Sequence, residues 1–362
     1  MIPLDEPIVG DREIEYLTDC IRSGWISWQG PYVGAFEKRA AQYIGVQHAV
    51  STCNGTAALI VALQALGIGE GDEVIVPTLT FSASVWAIVL AGGVPVLADS
   101  LSGRFSVDPA DIARRITPRT RALLVVHLYG HPVDMDPIMD LAKTSGLRVV
   151  EDVAQAFGAD YKGRKVGGIG DIGCVSFHNK LIATGEGGMI LTSSAQVAQR
   201  VAALRTPSPD NRTDFSDISL NFRMSNLTAA VGLAQLERLE ETLAAKRAIA
   251  HFYDAAFRGS VLETIGDDEG SRGAYWRSSA LTTPRTRMSR DRLADALGQH
   301  GITARASYQP MHLHPTYRDS SSQGFPNAER VSLRGIDLPS SPRLTTAELT
   351  QVADTVLRLA NQ

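Results

Sequence analysis

The chain has 362 residues, of which 44% are hydrophobic, and its formal net charge is −4. This length predicts one large and one small domain, and the scattered Lys and Arg residues predict neither nucleic acid nor an anionic membrane as a partner. Because no apolar run reaches the roughly 18 to 20 residues of a membrane span, and the N-terminus lacks a signal-peptide pattern, we expect a cytoplasmic protein.

The first elements predicted along the chain are a helix, an aromatic loop, a second helix and a strand. The helix covers residues 11–23, and Gly24 ends it. The loop that follows carries Trp25, which suits either a substrate pocket or an anchor for the first helix. The second helix (32–43) leads into a short buried strand (48–52).

A turn of small residues joins this strand to an apolar helix predicted over residues 57–66. The turn carries Gly55 and Thr56, and the unpaired N–H groups and the dipole of a helix N-terminus bind an anion at such a place. An ordinary tight turn explains the same residues equally well. The turn alone therefore leaves both interpretations open.

Strands and helices then alternate up to residue 152. Strands are predicted over 73–77, 94–99, 121–128 and 147–152, and helices over 82–90, 108–116 and 135–144. Near-continuous Val, Ile and Leu in the strands predict a mostly parallel sheet covered by helices on both faces. Ligands bind at the carboxyl ends of such strands, where four candidate residues fall, namely Gly55, Phe81, Asp152 and Lys180.

Two charged residues at these strand ends suggest chemistry. Lys180 lies between an apolar run (172–177) and a glycine-rich segment, so it suits a Schiff-base nucleophile, although most lysines are solvated surface residues. Asp152 ends a buried strand, where a carboxylate needs a cationic partner. The alternative for Asp152 is a structural cap on a helix that starts at Val153.

The C-terminal third has a different texture from the rest. Residues 220–258 predict one long amphipathic helix that bridges to a second domain. We therefore place the large domain in residues 1–240 and a smaller α+β domain in residues 241–362. The polar stretch 319–324 predicts a mobile loop. The elements predicted beyond residue 260 are a strand at 278–282, a helix at 290–300 and a final helix at 345–359.

The cysteines predict neither a cross-link nor a metal site. Cys20, Cys53 and Cys174 are odd in number, far apart in sequence and free of CxxC spacing. We therefore expect three small, mostly buried side chains, and we expect no metal ion.

Together the strand ends supply what a pyridoxal phosphate enzyme needs. Its cofactor requires a lysine for the aldehyde, a carboxylate for the pyridine nitrogen, donors for the phosphate and an aromatic face for the ring. These needs are met, in the same order, by Lys180, Asp152, the turn at residues 55–56 and Phe81. Four parts in a plausible order predict the cofactor more strongly than any one part.

Short motifs spread over nearly the whole chain resemble one family. They lie at residues 23–27, 54–59, 71–77, 127–131, 151–156, 184–189, 221–224 and 327–329, with Thr80, Phe81, Pro310 and His312. On these residues the chain is identified as a member of the DegT/DnrJ/EryC1/StrS family of nucleotide-sugar aminotransferases. The resemblance implies the fold-type-I (aspartate aminotransferase-like) α/β architecture, with pyridoxal 5′-phosphate as the cofactor and pyridoxamine phosphate as its intermediate form.

The resemblance also implies a role for each residue around the cofactor ring. Lys180 would bond to the cofactor aldehyde and would later move a proton between the substrate Cα and the cofactor C4′. Asp152 would pair with the pyridine nitrogen, and Gln155 would lie near the ring hydroxyl. Phe81 would stack on the ring.

The phosphate of the cofactor is assigned in the same way. Backbone groups of Gly55 and Thr56, together with the hydroxyl of Ser176, would bind it. Asn221 matches a family residue that reaches the phosphate bound in the neighbouring subunit. The resemblance therefore implies a homodimer with shared active sites.

Two positions depart from the family pattern. The family has one more residue between the Ser-Phe pair at 176–177 and the lysine, so we expect the structure to differ at His178 and Asn179. Phe157 stands where the family usually has His or another polar residue, so a substrate contact made there would be lost. A dehydratase branch replaces the lysine with histidine, and Lys180 therefore favours aminotransfer.

The implied reaction has two halves. An amino donor, expected to be L-glutamate, leaves its amino group on the cofactor, which passes it to a ketone of a nucleotide-diphosphate sugar. The similarity is strongest to members that aminate C4 of GDP-4-keto-6-deoxymannose. Trp25, Tyr308, His312 and His314 are expected to contact the sugar or the nucleotide, although a hydrogen-bonded loop residue explains each histidine equally well.

Three other activities remain open at this stage. They are transamination of a cyclitol or an unusual antibiotic sugar, pyridoxal phosphate-dependent dehydration of a sugar, and a cofactor-binding sensor without turnover. An absorbance band of lysine-bound cofactor that glutamate bleaches distinguishes aminotransfer from the last two. Spacing does not fix the sugar, the carbon or the nucleotide, because these depend on loop shapes around Trp25 and Tyr308.

Overall fold

The computed structural model describes residues 1–207, 219–317 and 324–362. The loop predicted at 319–324 lies outside the described residues, apart from Gly324. Within the described ranges, no helix combines the length and the apolar character that crossing a membrane requires.

The described strands form three sheets. In chain order they are β1 (His48–Thr52), β2 (Glu73–Pro77), β3 (Val94–Ala98), β4 (Thr120–Val126), β5 (Arg148–Asp152), β6 (Asp160–Tyr161), β7 (Arg164–Lys165), β8 (Ile172–Ser176), β9 (Gly188–Thr192), β10 (Leu262–Thr264), β11 (Ser271–Arg272), β12 (Ser278–Thr282), β13 (Arg305–Ala306) and β14 (Gly335–Leu338). Seven strands make the large sheet, four make a second sheet, and β11, β6 and β7 make a small third one.

Helices precede, separate and follow these strands. They are α1 (Asp11–Ser23), α2 (Pro31–Ile44), α3 (Gly55–Ala65), α4 (Ser82–Leu90), α5 (Pro109–Arg115), α6 (Met135–Ser145), α7 (Ala195–Leu204), α8 (Asn226–Glu237), α9 (Leu239–Phe257), α10 (Arg290–Gln299), α11 (Pro326–Arg334) and α12 (Thr346–Ala360). The ends follow local sequence. Gly24, for example, takes the left-handed conformation (φ 75°) that ends α1, as predicted.

The large sheet has the strand order β1-β9-β8-β5-β4-β2-β3. All pairs from β3 across to β8 are parallel, whereas β9 runs antiparallel to both of its neighbours. This confirms the predicted mostly parallel sheet. Every residue of β2 is buried, as expected for a strand covered on both faces.

The topology brings the predicted strand ends together. Strand β1 runs in the same direction as β8, because each is antiparallel to β9. The carboxyl ends of β1, β2, β5 and β8 therefore meet at one edge of the sheet. Gly55, Phe81, Asp152 and Lys180 end or follow these strands and lie along that edge.

The second sheet has the order β10-β12-β14-β13, is antiparallel throughout, and shares a core with α9, α10 and α12. Leu297 and Val352 are fully buried in that core. Ile2 belongs to it as well and pairs with Ile302. The first residues of the chain therefore pack with its C-terminal part, and a domain boundary near residue 240 stays a prediction.

The single long helix predicted from residue 220 to 258 was wrong. Residues 219–225 are not helical, Ser225 caps α8 by accepting from Thr228 N, and the chain breaks at Arg238 (φ −112°, ψ 13°) before α9. Arg238 pairs with Glu13 and donates to Ile8 O at 2.7 Å. These contacts with the N-terminal segment hold Arg238 in its non-helical conformation. The amphipathic pattern of the sequence continues through Arg238 and therefore does not reveal the break.

Candidate active site

A cavity of about 600 Å³ opens at the carboxyl edge of the large sheet. It brings together eight of the residues predicted from the sequence, namely Gly55, Thr56, Phe81, Asp152, Gln155, Ser176, Lys180 and Tyr308. Trp276, Arg277 and Arg305 reach the same cavity from the second half of the chain. The cavity is therefore built where the two halves meet.

One end of the cavity is shaped to bind an anion. Asn54 caps α3 by accepting from Ala57 N at 2.8 Å, which leaves the first N–H groups of the helix, at Gly55 and Thr56, without partners inside it. A Cβ on Gly55 would lie 2.5 Å from Cβ of Ser176, so only glycine allows this side chain so close. Free N–H groups, a helix dipole and a hydroxyl together fit a phosphate.

Asp152, the last residue of β5, presents a buried carboxylate to the cavity. It accepts hydrogen bonds from Ser84 Oγ at 2.7 Å and from Ala154 N at 3.0 Å, and the Thr80 hydroxyl lies 3.0 Å from Ser84 Oγ. Within the described ranges, no cationic side chain lies in ion-pair distance of it. Because burial raises the pKa of Asp152, a cation such as a pyridinium would stabilise its charged form.

Lys180 follows β8 and extends over an aromatic ring. Its Nζ lies 3.4 Å from the centroid of the Trp276 ring, and Trp276 Nε1 donates to Asn179 O at 3.2 Å. Burial, helped by the positive charge of Arg277, lowers the pKa of Lys180 to about 7. A large fraction of this amine is therefore neutral and nucleophilic near neutral pH.

The short connection before Lys180 has an unusual backbone. Asn179 adopts φ 44°, in the left-handed region that Asn tolerates better than most residues. His178 is exposed and lies 3.9 Å from Glu186. The hydroxyl of Ser176 stays in the cavity and accepts weakly from His178 N at 3.4 Å. A difference from the family in this loop stays a prediction.

A group of aromatic residues supports the ring region of the cavity. Gln155 Oε1 accepts from Tyr129 N at 2.7 Å, and Tyr129, which has φ 56°, stacks on Tyr308 with ring centroids 5.3 Å apart. Phe81 is about half exposed, and its ring lies 5.9 Å from that of Tyr308. Phe81 can therefore cover a bound ring without leaving its position before α4.

Four predicted residues do not line this cavity. Trp25 is half exposed, and Asn221 is exposed and accepts from Arg223 Nε at 3.0 Å. His312 is buried, and its two ring nitrogens contact Thr78 Oγ1 at 2.8 Å and Glu329 Oε1 at 3.1 Å. His314 lies just beyond it in the chain. Roles for these four in binding stay predictions.

Sequence reasoning missed Ser84, Trp276, Arg277 and Arg305. Ser84 could have been predicted from the sequence. It comes three residues after Phe81, so both residues lie on the same side of the first turn of α4. Trp276 and Arg277 precede β12, but nothing local indicates that this segment returns to the large sheet. Only the packing of the two halves reveals these two residues.

The observed groups fit pyridoxal 5′-phosphate at three parts of its structure. The glycine cradle with Ser176 suits the phosphate, Asp152 suits the pyridine nitrogen, and Lys180 suits the aldehyde. The fold and the site together define a pyridoxal phosphate enzyme of fold type I.

Comparisons with known proteins identify the family within this class. The model of the DegT/DnrJ/EryC1/StrS aminotransferase family matches residues 7–357, and the chain belongs to that family. A GDP-perosamine synthase of Escherichia coli O157:H7 is 41% identical over 98% of this chain and 97% of its own.

Solved structures agree with the family assignment. Spr1654 of Streptococcus pneumoniae, solved in its PMP form, superposes with a TM-score of 0.94 at 26% identity, over 99% of each chain. DesV of S. venezuelae gives a TM-score of 0.91 at 33% identity, over 97% of this chain and 94% of its own. The chain is accordingly a pyridoxal phosphate-dependent sugar aminotransferase.

Proposed function

We propose that this enzyme transfers an amino group from L-glutamate to the C4 ketone of GDP-4-keto-6-deoxymannose. The observation that carries the transfer chemistry is the presence of Lys180 and the buried Asp152 in one cavity. The substrate rests on the similarity to a GDP-perosamine synthase over nearly the full length of both chains. The predicted contacts of Trp25, His312 and His314 with the sugar nucleotide belong to this proposal.

The residues of the cavity divide the work of the reaction between them. When bound, the cofactor supplies an electron sink. Lys180 Nζ would carry a proton from the donor Cα to the cofactor C4′ in the first half-reaction, and from C4′ to the sugar carbon in the second. Asp152 would hold positive charge at the pyridine nitrogen, and Ser84, which donates to it, fixes the orientation of its carboxylate. The contact of Lys180 with the buried Trp276 ring would keep the amine beside the reacting carbon.

A homodimer is part of the proposal. Trp86, Val89 and Leu90 on α4 are about half exposed, as is Val94 at the start of the edge strand β3. Exposed large apolar side chains grouped in this way suit a protein interface. Asn221 would then bind the phosphate in the neighbouring subunit. We also propose that the dimer works in the cytoplasm.

Subunit mixing tests the shared site. One subunit carries Lys180→Ala, and the other carries Asn221→Ala, which removes the phosphate contact that it would lend to the Lys180→Ala subunit. A mixed dimer contains one complete site, so mixing should give more activity than the two variants give separately. Activity equal to the sum of the separate preparations would show that Asn221 serves its own subunit.

The substrate is tested with the pyridoxamine form of the enzyme. It is presented with GDP-, dTDP- and UDP-linked ketosugars, and the return of the absorbance of lysine-bound cofactor is followed. GDP-4-keto-6-deoxymannose should restore it fastest. Restoration by another sugar, or by a cyclitol ketone, would replace the proposed substrate while keeping the reaction type.

The reaction type has its own test. Amino acids should bleach the absorbance of the lysine-bound cofactor, and L-glutamate should do so most effectively. An absorbance that no amino donor changes would favour a dehydratase or a cofactor-binding sensor instead.

A further inference from the structure

Arg277 lies at the active-site cavity, immediately before β12. Its guanidinium and the amine of Lys180 both contact the Trp276 ring. Its Cζ lies 4.4 Å from the centroid of the Trp276 ring, and Lys180 Nζ lies 3.4 Å from the same centroid. Both side chains line the cavity. A fixed positive charge therefore flanks the lysine at which the reaction takes place.

The guanidinium of Arg277 is incompletely paired. Its Nη1 is buried and has no hydrogen-bond partner among the residues that the structure describes. Other buried cations nearby are satisfied, since Lys246 pairs with Asp5 at 2.9 Å and Arg247 donates to Gly273 O at 2.8 Å. An unpaired buried donor destabilises the protein, and a bound anion would remove that penalty.

Burial raises the pKa of Asp337 and of Asp5, and the positive charge of Arg277 partly offsets this, but within the described ranges no carboxylate accepts a hydrogen bond from Arg277 Nη1. Asp337 is the first candidate among the buried carboxyl groups. It accepts hydrogen bonds from Ser279 Oγ at 2.7 Å and from Ser307 Oγ at 3.3 Å, and it forms no ion pair with Arg277 within the described ranges. Asp5 is already paired with Lys246. The acceptor for Arg277 therefore comes from a ligand.

The chemistry of the reaction selects among possible anions. The cofactor phosphate has its own cradle at Gly55 and Ser176. In a nucleotide sugar that reacts at C4, the diphosphate is attached to C1, so the pyranose ring separates it from the carbon at Lys180. In an α-amino acid, the carboxylate is bonded directly to the carbon that gives up its proton to Lys180. A cation beside the lysine therefore suits the amino acid.

We propose that Arg277 binds the α-carboxylate of the amino donor and thereby selects α-amino acids over simple amines. Nothing in the family match assigns this contact. The inference rests on the proposed aminotransfer function and deepens it. Two parallel N–H···O bonds from the planar guanidinium would also fix the donor Cα–H in a single orientation.

The test separates the two half-reactions of the cofactor-loaded enzyme. In Arg277→Gln, the L-glutamate concentration that half-saturates bleaching should rise about 10- to 100-fold, because a charged hydrogen-bonded pair is lost. The concentration of nucleotide ketosugar that half-saturates the second half-reaction should stay within about twofold. Arg277→Lys keeps the charge but loses the planar, two-pronged guanidinium. Its half-saturating L-glutamate concentration should therefore lie between that of the wild type and that of Arg277→Gln.

Two controls make the result specific. Arg305→Gln removes one positive charge from the exposed rim of the same cavity, so it should weaken glutamate much less. With 4-aminobutyrate, which lacks the α-carboxylate, Arg277→Gln should have little effect. Retained absorbance of lysine-bound cofactor shows that the variant is folded and loaded.

Binding without reaction gives a second readout. Glutarate carries the carboxylates of the donor but no reacting amine, and its calorimetric affinity for the loaded enzyme should fall much more in Arg277→Gln than in Arg305→Gln. Equal losses in both variants, unchanged glutamate and glutarate binding, or a loss confined to the nucleotide sugar would each overturn the proposal. If no amino donor bleaches the wild-type enzyme, aminotransfer itself fails, while glutarate still tests Arg277.

Discussion

Glu151 and Asp152 are adjacent at the end of β5, and both carboxylates are buried, yet they serve opposite purposes. Glu151 accepts hydrogen bonds from the N–H groups of Gly167, Ile169 and Gly170 at 2.6 to 2.8 Å. Its fourth contact is His127 Nε2 at 3.2 Å. Asp152 accepts from only two donors among the residues that the structure describes, and it faces the cavity.

The pKa values of the two carboxyl groups follow from this difference. Burial disfavours ionisation of both. The hydrogen bonds from His127 and the loop nevertheless hold the pKa of Glu151 below its usual value, whereas burial leaves that of Asp152 raised. A buried group with complete hydrogen bonds holds a loop in place. One with incomplete hydrogen bonds marks a position where a ligand belongs.

Two buried lysines repeat the contrast. Lys246 on α9 donates to Asp5 Oδ1 at 2.9 Å and to Trp276 O at 3.0 Å, so its position is structural. Lys180 contacts the face of the Trp276 ring and has no carboxylate partner in the described ranges. From these contrasts we expect substitutions of Lys180 and Asp152 to abolish catalysis. Substitutions of Lys246 and Glu151 should instead weaken the fold.

The largest effect is expected for Lys180→Ala. It should remove the absorbance of lysine-bound cofactor and lower turnover by about 10³-fold or more, because in the proposed mechanism one amine is both the point of attachment and the acid and base. Lys246→Met is the matched control at the structural lysine and should keep that absorbance. Turnover that survives Lys180→Ala would disprove the central assignment.

The next effect is expected for Asp152→Asn. An amide cannot hold charge at the pyridine nitrogen, so turnover should fall about 100-fold or more while the free energy of unfolding of the cofactor-free protein changes little. Steady-state kinetics and urea unfolding measure the two quantities. A large loss of stability with normal turnover would reverse the roles assigned to Asp152 and Glu151.

Glu151→Gln should affect the stability of the fold, in contrast to Asp152→Asn, which should affect turnover. Losing a charged acceptor for the loop N–H groups should lower the free energy of unfolding by about 2 kcal/mol and leave the absorbance of bound cofactor in place. Since the folded state favours ionised Glu151, its contribution is present above the ordinary glutamate pKa of 4.5 and is lost as the pH falls through the lower value in the fold. Wild type and variant should therefore converge in acid.

The smallest predicted effect is a pH dependence. Cofactor capture by the cofactor-free enzyme needs the neutral amine of Lys180, whose pKa is about 7 rather than 10.5. The capture rate should fall about tenfold for each pH unit below 7 and level off above it, as followed by absorbance. A rate that keeps rising to pH 10 would show an ordinary solvated lysine.

Much of the fold was predictable because its signals are local. Buried Val, Ile and Leu runs indicated the strands of the large sheet, and Gly24 ended α1 as expected. The break at Arg238 was not predictable, because it depends on Glu13 and Ile8, which are more than 200 positions away in the sequence. Amphipathic spacing continues through the break without a change.

The sequence by itself determined the cofactor chemistry, because strand order and direction bring residues at successive strand ends to one edge of a sheet. That reasoning placed Gly55, Asp152 and Lys180 together, and the family match agrees with it. Only the tertiary structure decided what surrounds Lys180. Trp276 and Arg277 come from a segment about 100 residues further along the chain, and long-range packing of the second half brings them to the lysine.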